Sequence, residues 1–185
     1  MKNVLACIDG GAYTASVCDY AAWSAQRLGA PLQLLHVIDR QPERALVTDL
    51  SGSIGLGTQE TLLAELAELD ESRSKLAQEH GREILEAAQG RARAAGVPEA
   101  ETLQRNGALV DTLLDMQAET RLVVLGQHPV SGRVPRLHLD HNVERVVRSL
   151  KRPVLVCAQA FAAPGRFLLA FDGSATGRKM VEAVA

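Results

Sequence analysis

Short unbroken apolar runs alternate along this chain with longer stretches in which apolar residues recur every three or four positions. Residues 4–8, 122–125 and 153–157 are runs of the first kind, typical of parallel strands covered on both faces, and residues 32–38, interrupted by Gln33 and His36, read as a further strand. Residues 100–104 make a weaker fifth strand. Residues 12–28, 58–95, 108–118 and 140–150 carry the helical spacing. A repeated strand–helix–strand order forces a parallel sheet with right-handed crossovers. Turn chemistry punctuates it at Asp9-Gly10-Gly11, at Gly29 before Pro31, and at Asn106-Gly107. Residues 40–57 are polar and then rich in small residues, and read as a loop over the ligand edge of the sheet. The helix over 58–95 contains Gly81 and Gly90, either of which marks a place for it to break. Its first half, residues 62–76, is strongly acidic and reads as a solvated face projecting from the domain, with a partner-binding surface as the sharper alternative.

The stretch 121–157 predicts where a site lies. A buried strand ends at Gly126, a loop follows, and an amphipathic helix starts near Asp140. A strand opening through glycine onto a helix N-terminus is how α/β sheets build anion and nucleotide sites. His128, His138, Asp140 and His141 flank that loop, and His with carboxylate suits zinc. Without a recognised ligand spacing, capping and solvent contact are the favoured roles, and no metal residue is assigned. His36 reads as a satisfied strand histidine. Gly-x-Ser-x-Gly, P-loop and paired Cys–His arrangements are all missing from the sequence, so the expectation is not an enzyme.

The C-terminal residues repeat the N-terminal ones. NVLACIDGGAYTASVCDYAA at residues 3–22 aligns without a gap on RFLLAFDGSATGRKMVEAVA at residues 166–185. A period this long indicates duplicated domains. The expected organisation is a domain over 1–158, a linker over 159–165 (small residues and a proline), and the truncated start of a second homologous unit over 166–185. That stub holds one strand and part of a helix, which cannot bury their own apolar faces. Its segment 167–171 is apolar and is expected either to pack on another chain or to be poorly ordered.

Composition narrows the function classes. Twenty basic and 22 acidic residues give a net charge of −2, and aromatics are 3% of the chain. That removes both the phosphate-neutralising face and the stacking platform of a nucleic-acid binder. No apolar run reaches the length of a membrane span, and the first residues enter a strand directly, so a cytoplasmic protein is expected. Cys7, Cys18 and Cys157 lie in apolar patterns without metal spacing, and read as small buried side chains.

Asp9, LLHVID at 34–39, Gly107, VVLGQHP at 123–129 and HNVERVVRSLKRPVLV at 141–156 stand in an order that resembles the universal stress protein family in its tandem-repeat form. The resemblance implies an α/β, Rossmann-like sheet of five parallel strands in order 3-2-1-4-5, flanked by helices. It implies that the open edge of strand 5 makes a dimer or joins the two halves of a tandem chain. In the nucleotide-binding branch it implies an ATP site between strands 1 and 4, with Asp9 by the ribose or a phosphate-bound cation and Val37 against the adenine. That branch reads Gly-x-x-Gly and later Gly-Ser or Gly-Thr after strand 4. Gly126 matches; Pro129, Asp140 and His141 do not.

The departures have physical consequences. Pro129 removes an N–H from a loop that works by donating N–H groups. Asp140 caps the helix internally and repels a phosphate by roughly 1 kcal/mol. The expected function is therefore a non-enzymatic stress-response module, acting through dimerisation and partner binding, with a degenerate nucleotide site and no resident cofactor. An ATP-binding switch is the alternative, and a zinc-binding variant the second.

Overall fold

The computed structural model describes residues 1–39, 56–127 and 141–184; for residues 56–64, 141 and 183–184 the backbone alone is considered. The elements in chain order are β1 (Asn3–Cys7), α1 (Thr14–Leu28), β2 (Leu32–Ile38), α2 (Leu56–Ala94), β3 (Glu101–Asn106), α3 (Leu109–Met116), β4 (Thr120–Gly126), α4 (His141–Ser149), β5 (Val154–Cys157) and α5 (Ala175–Val184). The five strands form one parallel sheet in the order β3-β2-β1-β4-β5. This is the Rossmann-like order implied by the resemblance.

Both faces of the sheet are covered, which is why the middle of each central strand is largely apolar. Val4, Ala6, Leu34 and Val124 face α1 and α2, where they meet Val17, Ala21, Leu85 and Ala88. Their neighbours Leu5, Leu35, Val123 and Leu125 point the other way, onto Val110, Leu113 and Val146 of α3 and α4. Alternation along a pleated strand thus feeds two cores from one apolar run. A bidentate ion pair from Arg91 to Asp19, at 2.7 and 2.8 Å, ties α2 to α1.

The long helix expected from the sequence forms without a break at either of its two weak points. α2 runs through both Gly81 and Gly90. Gly81 is buried, and a Cβ there would stand 2.6 Å from His36 Cδ2 and 2.7 Å from Gln104 Nε2. Glycine at 81 serves close approach of helix to sheet; it is not a stop. β3 extends past the expected end at Gln104 because each residue from Glu101 to Asn106 pairs with β2.

The segment after β5 is fastened to α1. The Tyr20 hydroxyl lies 3.4 Å from the Ala160 carbonyl, to which it donates, and accepts from the Ala162 N–H at 3.3 Å. Phe161 packs edge-on against the Tyr20 ring, with centroids 4.8 Å apart. Beyond it, residues 166–171 are in no strand, and Phe167, Leu168 and Phe171 are exposed. The turn and helix expected after them do form, as Asp172, Gly173 and α5. Among the described residues no helix is long and apolar enough to cross a membrane.

Candidate functional site

The helix that follows β1, α1, lies on one face of the sheet and the helix that follows β4, α4, lies on the other. The carboxyl ends of these two adjacent strands therefore splay into a crevice, the place where open α/β sheets hold ligands. A cleft of about 230 Å³ opens there. Its floor is Cys7, Ile8 and Asp9 from the end of β1, Leu35 and Val37 from β2, and Leu125 and Gly126 from β4. Its walls are the start of α3 and the first turns of α4, through Asn142, Val143 and Arg145, with Asp39 also on the lining.

The structure thus brings together Asp9, Val37 and Gly126, three of the residues expected at the site. Pro129 and Asp140 lie outside the described residues, as do His128 and His138. His141 begins α4, but its side chain is likewise outside them. Among the described residues no group of three or more His, Cys, Asp or Glu is arranged to hold a metal.

Each of the first two polar or glycine positions already has an internal role. Asp9 Oδ1 accepts the Gly11 N–H at 2.9 Å and the Thr14 hydroxyl at 3.0 Å. It holds a tight turn in which Gly10 takes φ +79°, a conformation that favours glycine. Tyr13, at the N-cap of α1, makes no side-chain cap bond. The Asp9 turn supplies the entry to the helix instead. Gly126 is also needed for packing. A Cβ there would stand 2.6 Å from Tyr13 Cβ and 3.3 Å from Val17 Cγ2, on the α1 side of the sheet. Its missing side chain makes room for α1, while its backbone lines the cleft.

His36 lies on the α1/α2 side of β2, under Gly81. Its Nδ1 is 2.7 Å from the Ile8 carbonyl, and because a carbonyl can only accept, Nδ1 carries the proton in this bond. This satisfies the histidine within the sheet. Cys7 is half-buried on the cleft floor; burial, and secondarily Asp9, pushes its thiol up from 9.0 to about 12. That is the reverse of an activated nucleophile.

Sequence reasoning did not assign Cys7, Asp39, Asn142 or Arg145 to the site. Two signals point to them. Asp39 follows β2 at the same sheet edge as Asp9. Arg145 stands one helical turn after the N-terminus of α4, on the face that His141 starts.

Three comparisons bear on this geometry. The profile of the universal stress protein family matches residues 1–158. The chain is 34% identical over 186 residues to the universal stress protein Slr1230 of Synechocystis sp. (strain ATCC 27184 / PCC 6803 / Kazusa), in an alignment covering 100% of this chain. It spans 65% of that relative's length. Among solved structures, a universal stress protein in complex with cAMP superposes with a TM-score of 0.55 at 22% identity, over 86% of this chain and 98% of that one. A universal stress protein from Archaeoglobus fulgidus gives 0.51 at 14% identity, over 85% and 94%. At these identities the two structures speak for the fold alone.

Proposed function

The chain belongs to the universal stress protein family, and from that premise we propose that it is a non-enzymatic stress-response module acting through self-association and partner binding, with a degenerate nucleotide cleft. One observation carries this reading. Asp9 and Gly126, two of the three described positions expected at the nucleotide site beside Val37, are both engaged by the fold itself, in the turn before α1 and in the packing of α1 on β4. The cleft's described charges are the carboxylates of Asp9 and Asp39 against the guanidinium of Arg145. A polyphosphate entering there meets more negative than positive charge. Asp140, from the sequence, adds a third carboxylate before α4. The raised Cys7 thiol is consistent with a non-enzymatic reading, because that thiol, on the described lining, is not an activated nucleophile.

The second reading is an adenine-nucleotide switch. It is favoured by the cleft's place at the switch point, and a relative of the same fold holds cAMP. Native mass spectrometry of the protein as purified, followed by calorimetric titration with ATP and with cAMP, separates the two. The expected result is an empty protein with no measurable heat. The triple variant Pro129→Gly, Asp140→Gly, His141→Ser is then expected to tighten ATP binding by at least about tenfold. A co-purifying adenine nucleotide overturns the degenerate-site reading in favour of the switch.

The same reading takes residues 159–165 as a linker and 166–185 as the opening of a second homologous unit, in a cytoplasmic protein. Tyr20 supports it by fastening the linker to the first unit.

A further inference from the structure

Tyr20 is buried in the core on the α1 side of the sheet, yet its hydroxyl reaches chain that lies beyond the family match at residue 158. It donates to the Ala160 carbonyl at 3.4 Å and accepts the Ala162 N–H at 3.3 Å. Phe161, between those two residues, sets its ring edge-on against the Tyr20 ring. One side chain thus holds three consecutive residues, two by their backbone and one by its ring. A phenylalanine would fill the same core, so what the hydroxyl adds is a hold on residues 160 and 162. The internal repeat carries Ala183 in the place of Tyr20, so the turn and helix that open each copy do not require a tyrosine there.

The hold begins almost at once and ends sharply. Cys157, the last residue of β5, belongs to the same buried cluster as Tyr20, and the chain runs only from 157 to 160 before it is caught. Beyond Ala162 the surroundings change. Ala163 and Gly165 are exposed, and a Cβ at Gly165 would meet nothing within 4 Å. Pro164 fixes its own φ and biases Ala163 toward an extended backbone. Gly165 therefore carries most of the backbone freedom of this short stretch.

The consequence is a shorter tether. The chain from Cys157 to Arg166, fully extended, reaches about 30 Å, whereas from Ala162 to Arg166 it reaches about 14 Å. Whatever is built from residue 166 onward thus starts within about 14 Å of a residue bonded to α1. The same helix is entered through the Asp9 turn on the cleft floor and packs over Gly126. One helix therefore frames the cleft at its first turn and positions the departing chain at its middle.

We propose that residues 158–162 are a strap belonging to the first domain, with Tyr20 as its anchor, and that residues 163–165 are the whole hinge. The segment from 166 is then kept close to α1 and is not carried on a linker free over all of 159–165. The inference rests on the linker reading above and divides that linker in two. The test is 15N relaxation of the full chain, which gives an order parameter for each amide. Values of about 0.85 are expected through Ala162, as in β5, with a fall below about 0.6 at Ala163 and Gly165. In a Tyr20→Phe, Phe161→Ala variant the fall should begin at Ala158. α1 and β5 should keep their parent values, since the phenyl ring left at position 20 still fills the core and Phe161 is exposed. Hydrogen exchange at the Ala162 amide should quicken by at least about tenfold in the same variant. A parent mobile from Ala158, or a variant with the parent's profile, overturns the strap and leaves the linker reading standing. A parent rigid from 158 through 171 overturns both, because no hinge then remains.

Discussion

Replacing Gly126 with alanine asks whether that glycine serves the cleft or the fold. The added Cβ would stand 2.6 Å from Tyr13 Cβ, with Tyr13 Cγ and Val17 Cγ2 both at 3.3 Å. The nearest atom is a Cβ, fixed to the backbone of α1, so it cannot swing away as a side-chain tip would. Relief requires α1 to shift by several tenths of an ångström against β4. Overpacking of this order costs about 1–3 kcal/mol. The lower flexibility of the unfolded chain returns about 0.4–1 kcal/mol. A net loss of about 1–2 kcal/mol remains, or roughly 2–8 °C in Tm for a chain of this size. Urea unfolding followed by circular dichroism measures it, and a double-mutant cycle with Tyr13→Gly isolates the contact. Removing the opposing Cβ should recover at least about 0.5 kcal/mol of coupling. A Gly126→Ala protein as stable as the parent, or a cycle with no coupling, refutes the packing account and returns the glycine to the ligand.

Other consequences are open to simpler tests. Burial holds the Cys18 thiol near 11 and the Cys157 thiol near 12, both above the ordinary 9.0. Each keeps its full contribution below pH 9 and loses it as pH rises from there through the folded value, at about 1.4 kcal/mol per pH unit per thiol. The urea midpoint should be flat to about pH 8.5 and fall above 9, with a shallower fall in a Cys18→Ala, Cys157→Ala protein; equal slopes in the two refute the assignment. Asp9→Ala frees the Gly11 N–H and the Thr14 hydroxyl and should cost about 1 kcal/mol in urea unfolding, as a lost cap does. Tyr20→Phe removes both linker bonds; faster hydrogen exchange at the Ala162 amide and earlier cleavage near Pro164 are expected, with the sheet's protection unchanged.

The features readable from the sequence were those with a local or periodic cause. Four largely apolar runs gave four strands, since burial on both faces leaves few polar positions in them. The turn at Asp9-Gly10 was legible because the aspartate bonds its own neighbours. The role of Gly81 was not legible because a glycine's use in a helix depends on what faces it, here His36 and Gln104 from strands far away in the chain. Gly126 was placed at the site correctly, but for an incomplete reason. Its backbone lines the cleft, yet the close approach it permits is that of Tyr13, over a hundred residues earlier. Asp39 and Arg145 were passed over because their local signals, a place just after β2 and one turn into α4, do not by themselves show that they share a cleft. They reach the cleft only when β2 and α4 are set beside β1.

The internal repeat separates these two kinds of cause within one chain. Gly10 and Gly173 occupy equivalent places and adopt φ of +79° and +78°. Asp9 accepts the Gly11 N–H at 2.9 Å, and Asp172 accepts the Ser174 N–H at 2.9 Å. A helix follows in each case. The turn and the helix therefore form twice, because everything they need lies within a few residues. The strand forms once. Val4, Leu5 and Ala6 are fully buried with β2 on one side and β4 on the other, while the matching Phe167 and Leu168 are 65% and 100% exposed and in no strand. Ladder bonds and two covered faces come only from distant segments. An apolar run is thus a capacity for a strand, realised at residues 3–7 by neighbours that residues 166–171 do not have among the described residues. Supplying such neighbours should turn 166–171 into a protected strand. Amide exchange at Leu168 and Leu169, slow in a longer chain that carries them and fast here, would show it.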